Sequence, residues 1–125
     1  MHENIITGII INSCFNIHKK LGPGLFESVY EEILEYELIS KNLMVERQIG
    51  MPVEWKDLRM NQGFRLDLLV ENKVIIEIKS IESVAPVHKK QLITFLRLTD
   101  LKVGLLVNFN EALLKDGITR LVNNF

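Results

Sequence analysis

What the chain has little of narrows its class first. A single cysteine, Cys14, among 125 residues excludes a disulfide framework, and with only three scattered histidines it excludes a structural zinc site as well. Three prolines and seven glycines form no Pro/Gly/Ser-rich linker. No repeat or low-complexity stretch interrupts the chain, so one domain over residues 1–125 is expected. Apolar runs such as Ile9-Ile10-Ile11 and Val74-Ile75-Ile76 are far too short to cross a bilayer. Met1-His2-Glu3-Asn4 shows no basic region leading into an apolar one, so no secretory signal is expected either. The expected setting is a reducing cytoplasm, without membrane contact.

What is present is a chain that can build a core. Hydrophobic residues make up 47% of it, and a chain this long buries roughly two-thirds of the surface its unfolded form exposes. Fifteen Lys+Arg against sixteen Asp+Glu leave a formal charge of −1, which excludes a wholly basic nucleic-acid coat but not a local patch. Residues 1–60 hold six basic and nine acidic side chains, and residues 61–125 hold nine basic and seven acidic. A polyanion site is therefore better sought in the second half, although surface solvation explains so slight a lean equally well.

Apolar residues Ile6, Ile9, Ile10, Cys14, Ile17 and Leu21 recur at helical spacing over 5–21, with Asn4 as N-cap and Gly22-Pro23-Gly24 as the stop. A second helix is expected from Leu25 to Ser40. Phe26, Val29, Tyr30, Ile33, Leu34, Tyr36 and Leu38 form its apolar face, and Glu31, Glu32 and Glu35 its solvated one. Glu27 fits neither, lying at the apolar border between Leu34 and Leu38. Segments 44–49, 52–56, 63–70 and 74–79 read as strands, with Pro52 favouring an edge or a turn. A helix over Val87–Leu98, a strand over Lys102–Phe109 and a final helix over Glu111–Asn123 complete the order. Helices packed on both sides of a mixed sheet follow from it.

The strands 63–70 and 74–79 carry the chemistry. They flank the polar loop Glu71-Asn72-Lys73, in which Asn72 suits a positive φ. Alternation places Phe64, Leu66, Leu68, Val70, Val74, Ile76 and Ile78 on one apolar face. Arg65, Asp67, Leu69, Ile75, Glu77 and Lys79 occupy the other. A three-residue loop pairs Val70 with Val74 and sets Asp67 across from Glu77. Opposed carboxylates among apolar neighbours repel each other and stabilise nothing in a sheet, so a cation is required between them. Lys79 supplies part of it. A divalent ion on Asp67, Glu77 and the Ile78 carbonyl supplies the rest, since hard oxygen donors suit Mg²⁺, with Mn²⁺ as substitute. Such an ion lowers the pKa of a bound water and neutralises charge on a phosphate oxygen, while Lys79 steadies the transition state. Taken alone, the string reads equally as a salt-bridge network on a solvated sheet face.

Gly24-Leu25-Phe26-Glu27-Ser28-Val29-Tyr30 resembles the G-x-x-E-x-x-Y signature of the GxxExxY protein family. The resemblance extends over Leu21-Gly22-Pro23-Gly24, Asp67…Glu77-Ile78-Lys79, His88-x-x-Gln91, Gly104–Asn110 and Leu114–Gly117. That family is placed in the PD-(D/E)xK nuclease-like superfamily. The resemblance implies a restriction-endonuclease-like α/β fold, with an α-β-β-β-α-β core and a mixed central sheet flanked by helices. It implies Asp67 and Glu77 as the metal-binding acids, Lys79 as the lysine and Glu27 as the first-helix acid that reaches the metal through water. Gln91 followed by Phe95 resembles the Q-x-x-x-Y element of RecB-like nucleases, with the tyrosine hydroxyl missing. Leu66 stands where the superfamily name has proline.

Ordinary roles stand beside these. Glu27 also suits the dipole of a first helical turn, Tyr30 a core position with its hydroxyl at the margin, and Gly24 a backbone turn. Arg65, His88, Lys89, Lys90 and Arg97 can track phosphates or simply be solvated. Asn108-Phe109-Asn110 ends a strand and caps a helix, and Cys14 fills core space. The resulting expectation is a Mg²⁺-dependent nuclease acting on DNA in preference to RNA. Asp67, Glu77, Lys79, Glu27 and Gln91 form its site. The alternatives are a non-catalytic nucleic-acid-binding or regulatory module that retains the nuclease fold, and a self-associating interaction domain. No target-recognition region is evident, which argues against a self-sufficient sequence-specific endonuclease and leaves room for a homodimer or an accessory protein.

Overall fold

The computed structural model describes all residues, Met1–Phe125. Helix α1 (Glu3–Leu21) buries Ile6, Ile10, Cys14 and Ile17 at helical spacing. Its N-cap is His2 rather than Asn4: the His2 Nδ1 accepts the Asn4 amide at 3.0 Å. Gly22, at φ 71°, ends the helix in a conformation that only glycine adopts without strain.

Helix α2 (Glu27–Ser40) starts two residues later than its apolar pattern implied, and it buries a narrower arc: Tyr30, Glu31, Leu34 and Leu38. Expectations for four residues are corrected here. Val29 and Tyr36, expected on the apolar face, are exposed. Phe26 stands outside the helix as its N-cap and is 81% exposed. Glu31, expected on the solvated face, is only 5% exposed. The reason is geometric. With about 100° between successive residues, Glu31 falls beside Leu38 on the wheel, and Arg47 and Gln48 from the sheet meet it there.

The five-stranded sheet has the order β1-β2-β3-β4-β5, comprising Val45–Trp55, Leu58–Val70, Val74–Lys79, Val103–Asn108 and Ile118–Val122. All neighbours are antiparallel except β3 and β4, which run parallel and are joined through α3 (Pro86–Thr99). The segments expected separately at 44–49 and 52–56 are one edge strand, β1. Pro52 is accommodated where its register with β2 shifts, as an edge allows. The order α2-β1-β2-β3-α3-β4 thus reproduces the expected core.

The expected final helix is absent. Leu114–Asp116 makes a single 3-10 turn, and Ile118–Val122 returns as β5 against β4. Gly117 explains it: its amide bonds Leu114 O and its carbonyl accepts the Asn108 amide at 2.8 Å, turning the chain back. A side chain there would collide with the Asn108 carbonyl. The β-branched residues that follow then join the sheet edge. Asn108 accordingly caps no helix. Buried at the end of β4, its amide clasps Ile81 N and O and the Asn110 amide.

Two cores sandwich the sheet. One lies under α1 and α2 and includes Ile10, Tyr30, Leu34, Leu68, Val70, Ile76, Ile78 and Val107. The other lies under α3 and includes Leu66, Leu69, Ile75, Leu92, Phe95 and Leu106. Each fully buried aliphatic or aromatic side chain contributes roughly 1.5–3 kcal/mol. Strict alternation would put Leu66 and Phe64 beside Leu68, yet both pack on the α3 side. On β1, Val45 likewise packs under α1 and α2 whereas Ile49 and Met51 pack toward α3. Both strands exchange faces about Gln48, which holds a φ of 51°, and the neighbouring Asp67. The expected single apolar face is therefore split in two, and the split falls on Asp67.

Candidate active site

The β2–β3 hairpin has the expected three-residue loop, with Glu71 and Asn72 both at φ 53°. Val70 pairs with Val74, Leu69 with Ile75 and Leu68 with Ile76. One step further, Asp67 faces Glu77, and here the main-chain ladder stops. Glu77 Oε2 accepts the Asp67 amide at 2.8 Å, and Asp67 Oδ2 accepts the Ile78 amide at 2.8 Å. Each carboxylate turns into the gap between the diverging strands and replaces a carbonyl of the ladder. The exchange of faces at Gln48 and Asp67 is what aims the Asp67 side chain into that gap instead of onto a sheet face.

Helix α2 and strand β1 close the site from the other side. Gln48 Nε2 donates to Glu31 Oε1 at 2.7 Å and to Asp67 Oδ1 at 3.3 Å. Arg47 Nε pairs with Glu31 Oε2 at 2.8 Å, and its guanidinium also lies near Glu32 and Glu35. Glu31, Arg47 and Gln48 were not singled out from the sequence. The available signal was that Glu27 and Glu31 are four apart and so share a helix face, while two adjacent polar residues interrupt an edge strand.

The electrostatics leave a deficit of positive charge. Burial pushes the Asp67 carboxyl above its usual range, and the charge of Glu31 adds to this. The Ile78 amide, Lys79 and Gln48 act in the opposite direction. Glu77, 7% exposed, is pushed up to about 8, first by burial and then by the charge of Asp67; Lys79 opposes the shift. Lys79 forms no ion pair with either acid.

Asp67, Glu77, Ile78 and Lys79 are thus brought together. Glu27 is not brought to the pair: its carboxylate accepts the Ser80 amide at 3.0 Å, just past Lys79. Ser80 Oγ donates to Leu25 O at 2.6 Å, so the start of α2 is bolted to the end of β3. A polar cleft of about 550 Å³, lined by Glu27, Ser28, Ser80 and Asn110 among others, opens there. The remaining signature residues are structural. Tyr30 is buried, stacks on Phe109 at 4.4 Å, donates to Gly22 O at 2.6 Å and accepts the Leu25 amide at 3.2 Å. Gly24 holds φ 103° in the turn between them. His88 Nδ1 accepts the Ala85 amide at 3.0 Å and so caps α3. Gln91, Lys89, Lys90 and Arg97 are exposed on α3, and Arg65 is exposed on β2.

A model of the PD-(D/E)XK nuclease superfamily matches residues 4–121, nearly the whole chain. The chain belongs to the PD-(D/E)XK nuclease superfamily. No curated protein and no solved structure matches it significantly. Superfamily members generally use divalent metals, and the donors present fit one. Glu77 Oε1 takes no hydrogen bond, and Asp67 Oδ1 takes only the long one from Gln48. A strand residue points its N–H and C=O toward the same edge, so the Ile78 carbonyl faces the same gap as its amide. Hard oxygen donors with a surplus of negative charge suit Mg²⁺ or Mn²⁺. No three His, Cys, Asp or Glu side chains converge as a metal cluster, so an ion held here would need water or substrate to complete its shell. No helix is long and apolar enough to cross a membrane.

Proposed function

We propose that this chain, working as one domain over residues 1–125, is a metal-dependent phosphodiesterase that cuts nucleic acid in the cytoplasm, with DNA preferred over RNA. The mutual clasp of Asp67 and Glu77 carries this reading. Two carboxylates held in a gap by each other's main chain gain nothing for stability, but they are pre-positioned to share an ion.

In this reading Asp67, Glu77 and the Ile78 carbonyl hold Mg²⁺, or Mn²⁺ in its place. When bound, the ion supplies Lewis-acid neutralisation of phosphate charge and a more acidic water. The protein does the rest. The amides of Asp67 and Ile78 fix one oxygen of each carboxylate, leaving the other free to bind. Gln48 donates to both Asp67 and Glu31 and so steadies the Asp67 oxygen beside a like charge. Lys79, unpaired with any acid, is free to hold the attacking water and to stabilise the charge that builds on the scissile phosphate. Glu27, fixed on the Ser80 amide, has its second oxygen available to accept a hydrogen bond from a water of the metal shell. Gln91, Arg65, Lys89, Lys90, Arg97 and the free Nε2 of His88 provide phosphate contacts flanking the site. Glu27 of the GxxExxY-like segment ties the start of α2 to the residue after β3, while Gly24 and Tyr30 form and brace the turn that precedes the helix.

Nicking of supercoiled plasmid with Mg²⁺ or Mn²⁺ tests this directly, wild type against Asp67→Asn and Lys79→Ala. Activity confined to the wild type supports the assignment. Equal cleavage by all three assigns it to a contaminant and removes the proposal.

A further inference from the structure

The turn that leads into α2 leaves an aromatic ring in solvent beside the candidate active site. Phe26 is 81% exposed; its side chain neither caps the helix nor packs in either core. Its backbone, by contrast, is fixed. The Phe26 carbonyl accepts the Val29 and Tyr30 amides. On one side of it, Leu25 O accepts the Ser80 hydroxyl at 2.6 Å; on the other, Glu27 Oε2 accepts the Ser80 amide at 3.0 Å. Phe26 thus stands between two residues bolted to the end of β3, and it lines the polar cleft of about 550 Å³ that opens there. An apolar ring held in water on a fixed main chain adds nothing to folding. It does provide a stacking surface.

The rest of the cleft decides what stacks. Its lining holds one charged side chain, Glu27, and no lysine or arginine, so it is a poor seat for a phosphate. A flat, neutral group with polar edges suits it better. Besides the ring, the lining offers the Ser28 hydroxyl and the Asn110 side-chain amide. Neither group has a partner within the protein. Only the main chains of these residues are bonded, Ser28 O to Arg47 at 3.5 Å and Asn110 N to Asn108 Oδ1 at 3.2 Å. A hydroxyl and an amide each donate and accept, so together they can serve the edge of any nucleobase. Ser80 follows Lys79 directly, about 4 Å along the chain. A base in the cleft would therefore belong to a nucleotide adjoining the phosphate that Lys79 addresses. In intact duplex the bases are stacked and paired inside the helix, and only an unpaired base can offer its face to a side chain.

We propose that Phe26 stacks an unpaired base beside the scissile phosphate, with Ser28 and Asn110 on its edge, so that the chain acts on single-stranded nucleic acid rather than intact duplex. The proposal rests on the nuclease reading, which supplies the nucleic acid, and it names the strand state that the site accepts. Phe26 is a specificity residue here, not a catalytic one.

Binding measured with a chelator present, so that nothing is cut, tests it apart from the chemistry. The probe is a short fluorescein-labelled oligodeoxynucleotide, single-stranded or annealed to its complement, followed by anisotropy at low salt. Wild type should favour the single strand. Phe26→Leu keeps an apolar side chain without the ring and should weaken single-strand binding by about tenfold. Phe26→Tyr keeps the ring and should stay within a few-fold of wild type. A 2-aminopurine in the single strand should lose emission on binding wild type and Phe26→Tyr but not Phe26→Leu. Phe26 is exposed, and unchanged circular dichroism confirms folding. Equal single-strand affinity for wild type and Phe26→Leu overturns the proposal, as does preference for the duplex or absence of binding to either probe. The plasmid-nicking assay reports separately on the active site. Nicking without a ring-dependent single-strand preference overturns the base site and leaves the nuclease; ring-dependent binding without nicking supports the base site and removes the catalysis.

Discussion

Asp67 and Glu77 hold one another's strands: the Glu77 carboxylate takes the amide of Asp67, and the Asp67 carboxylate takes the amide of Ile78, the residue after Glu77. The sheet ladder ends at that reciprocal clasp. Two acids that a regular hairpin would leave side by side on a face are instead folded into the seam, where main-chain donors hold them against their repulsion.

The metal-free protein should lose stability as pH rises. Glu77 binds its proton more tightly when folded, near pH 8, than at its ordinary 4.5. The folded chain therefore holds the extra proton across that window, and unfolding becomes easier toward its upper end. Asp67 is displaced in the same direction and adds to the slope. Glu77→Gln should remove most of the slope and stabilise the metal-free chain at pH 8 by about 1–3 kcal/mol. Urea midpoints with a chelator present at pH 5 and pH 8 measure both. A wild type more stable at the higher pH contradicts the assignment.

Metal binding should release a proton. Near neutral pH Glu77 is largely protonated, and an ion must displace that proton to use the carboxylate. Mn²⁺ titration calorimetry in two buffers of different ionisation heat should report release of up to one proton per ion. Asp67→Asn and Glu77→Gln should each weaken binding by at least about tenfold. Identical heats in the two buffers would show that Glu77 does not take part.

Lys79→Ala should separate binding from chemistry. Lys79 pairs with no acid, so its loss should leave Mn²⁺ affinity within a few-fold of wild type. The nicking rate should fall by about a hundredfold or more. A comparable loss in both would reduce the lysine to a counter-charge for the acids.

Gln48 should behave as a positioning residue. It holds Glu31 and Asp67 together through one amide nitrogen, and its removal leaves two like charges without a shared donor. Gln48→Ala should raise the Asp67 pKa further and weaken Mn²⁺ binding by about fivefold, with the fold retained. The Asp67 carboxyl titration, followed by NMR, distinguishes this from a general loss of structure.

Tyr30→Phe should cost about 1–2 kcal/mol of stability, because the hydroxyl is lost from both Gly22 O and the Leu25 amide. Metal-dependent nicking, normalised to folded protein, should survive. Loss of nicking in a fully folded variant would give the tyrosine a chemical role.

Much of this molecule can be read along the chain because its signals are local. Helical spacing in 5–21, the polar loop at 71–73 and the alternation of 63–70 with 74–79 fix their elements within a few residues, and a loop of three decides that Asp67 meets Glu77. Even the missed β5 had a local sign in Gly117. What no local pattern contains is where two distant segments make the chain change course. Glu31 is buried because Arg47 and Gln48 reach it from another element. Asp67 leaves the sheet face because the edge strand takes a left-handed turn at Gln48. The far half of the β1–β2 ribbon stands alone because β3 pairs only with Leu68–Val70. Periodicity reports which residues leave water. Only packing decides which neighbours they meet, because burial energy is non-directional while a hydrogen bond or a shared ion demands a partner at one distance and angle.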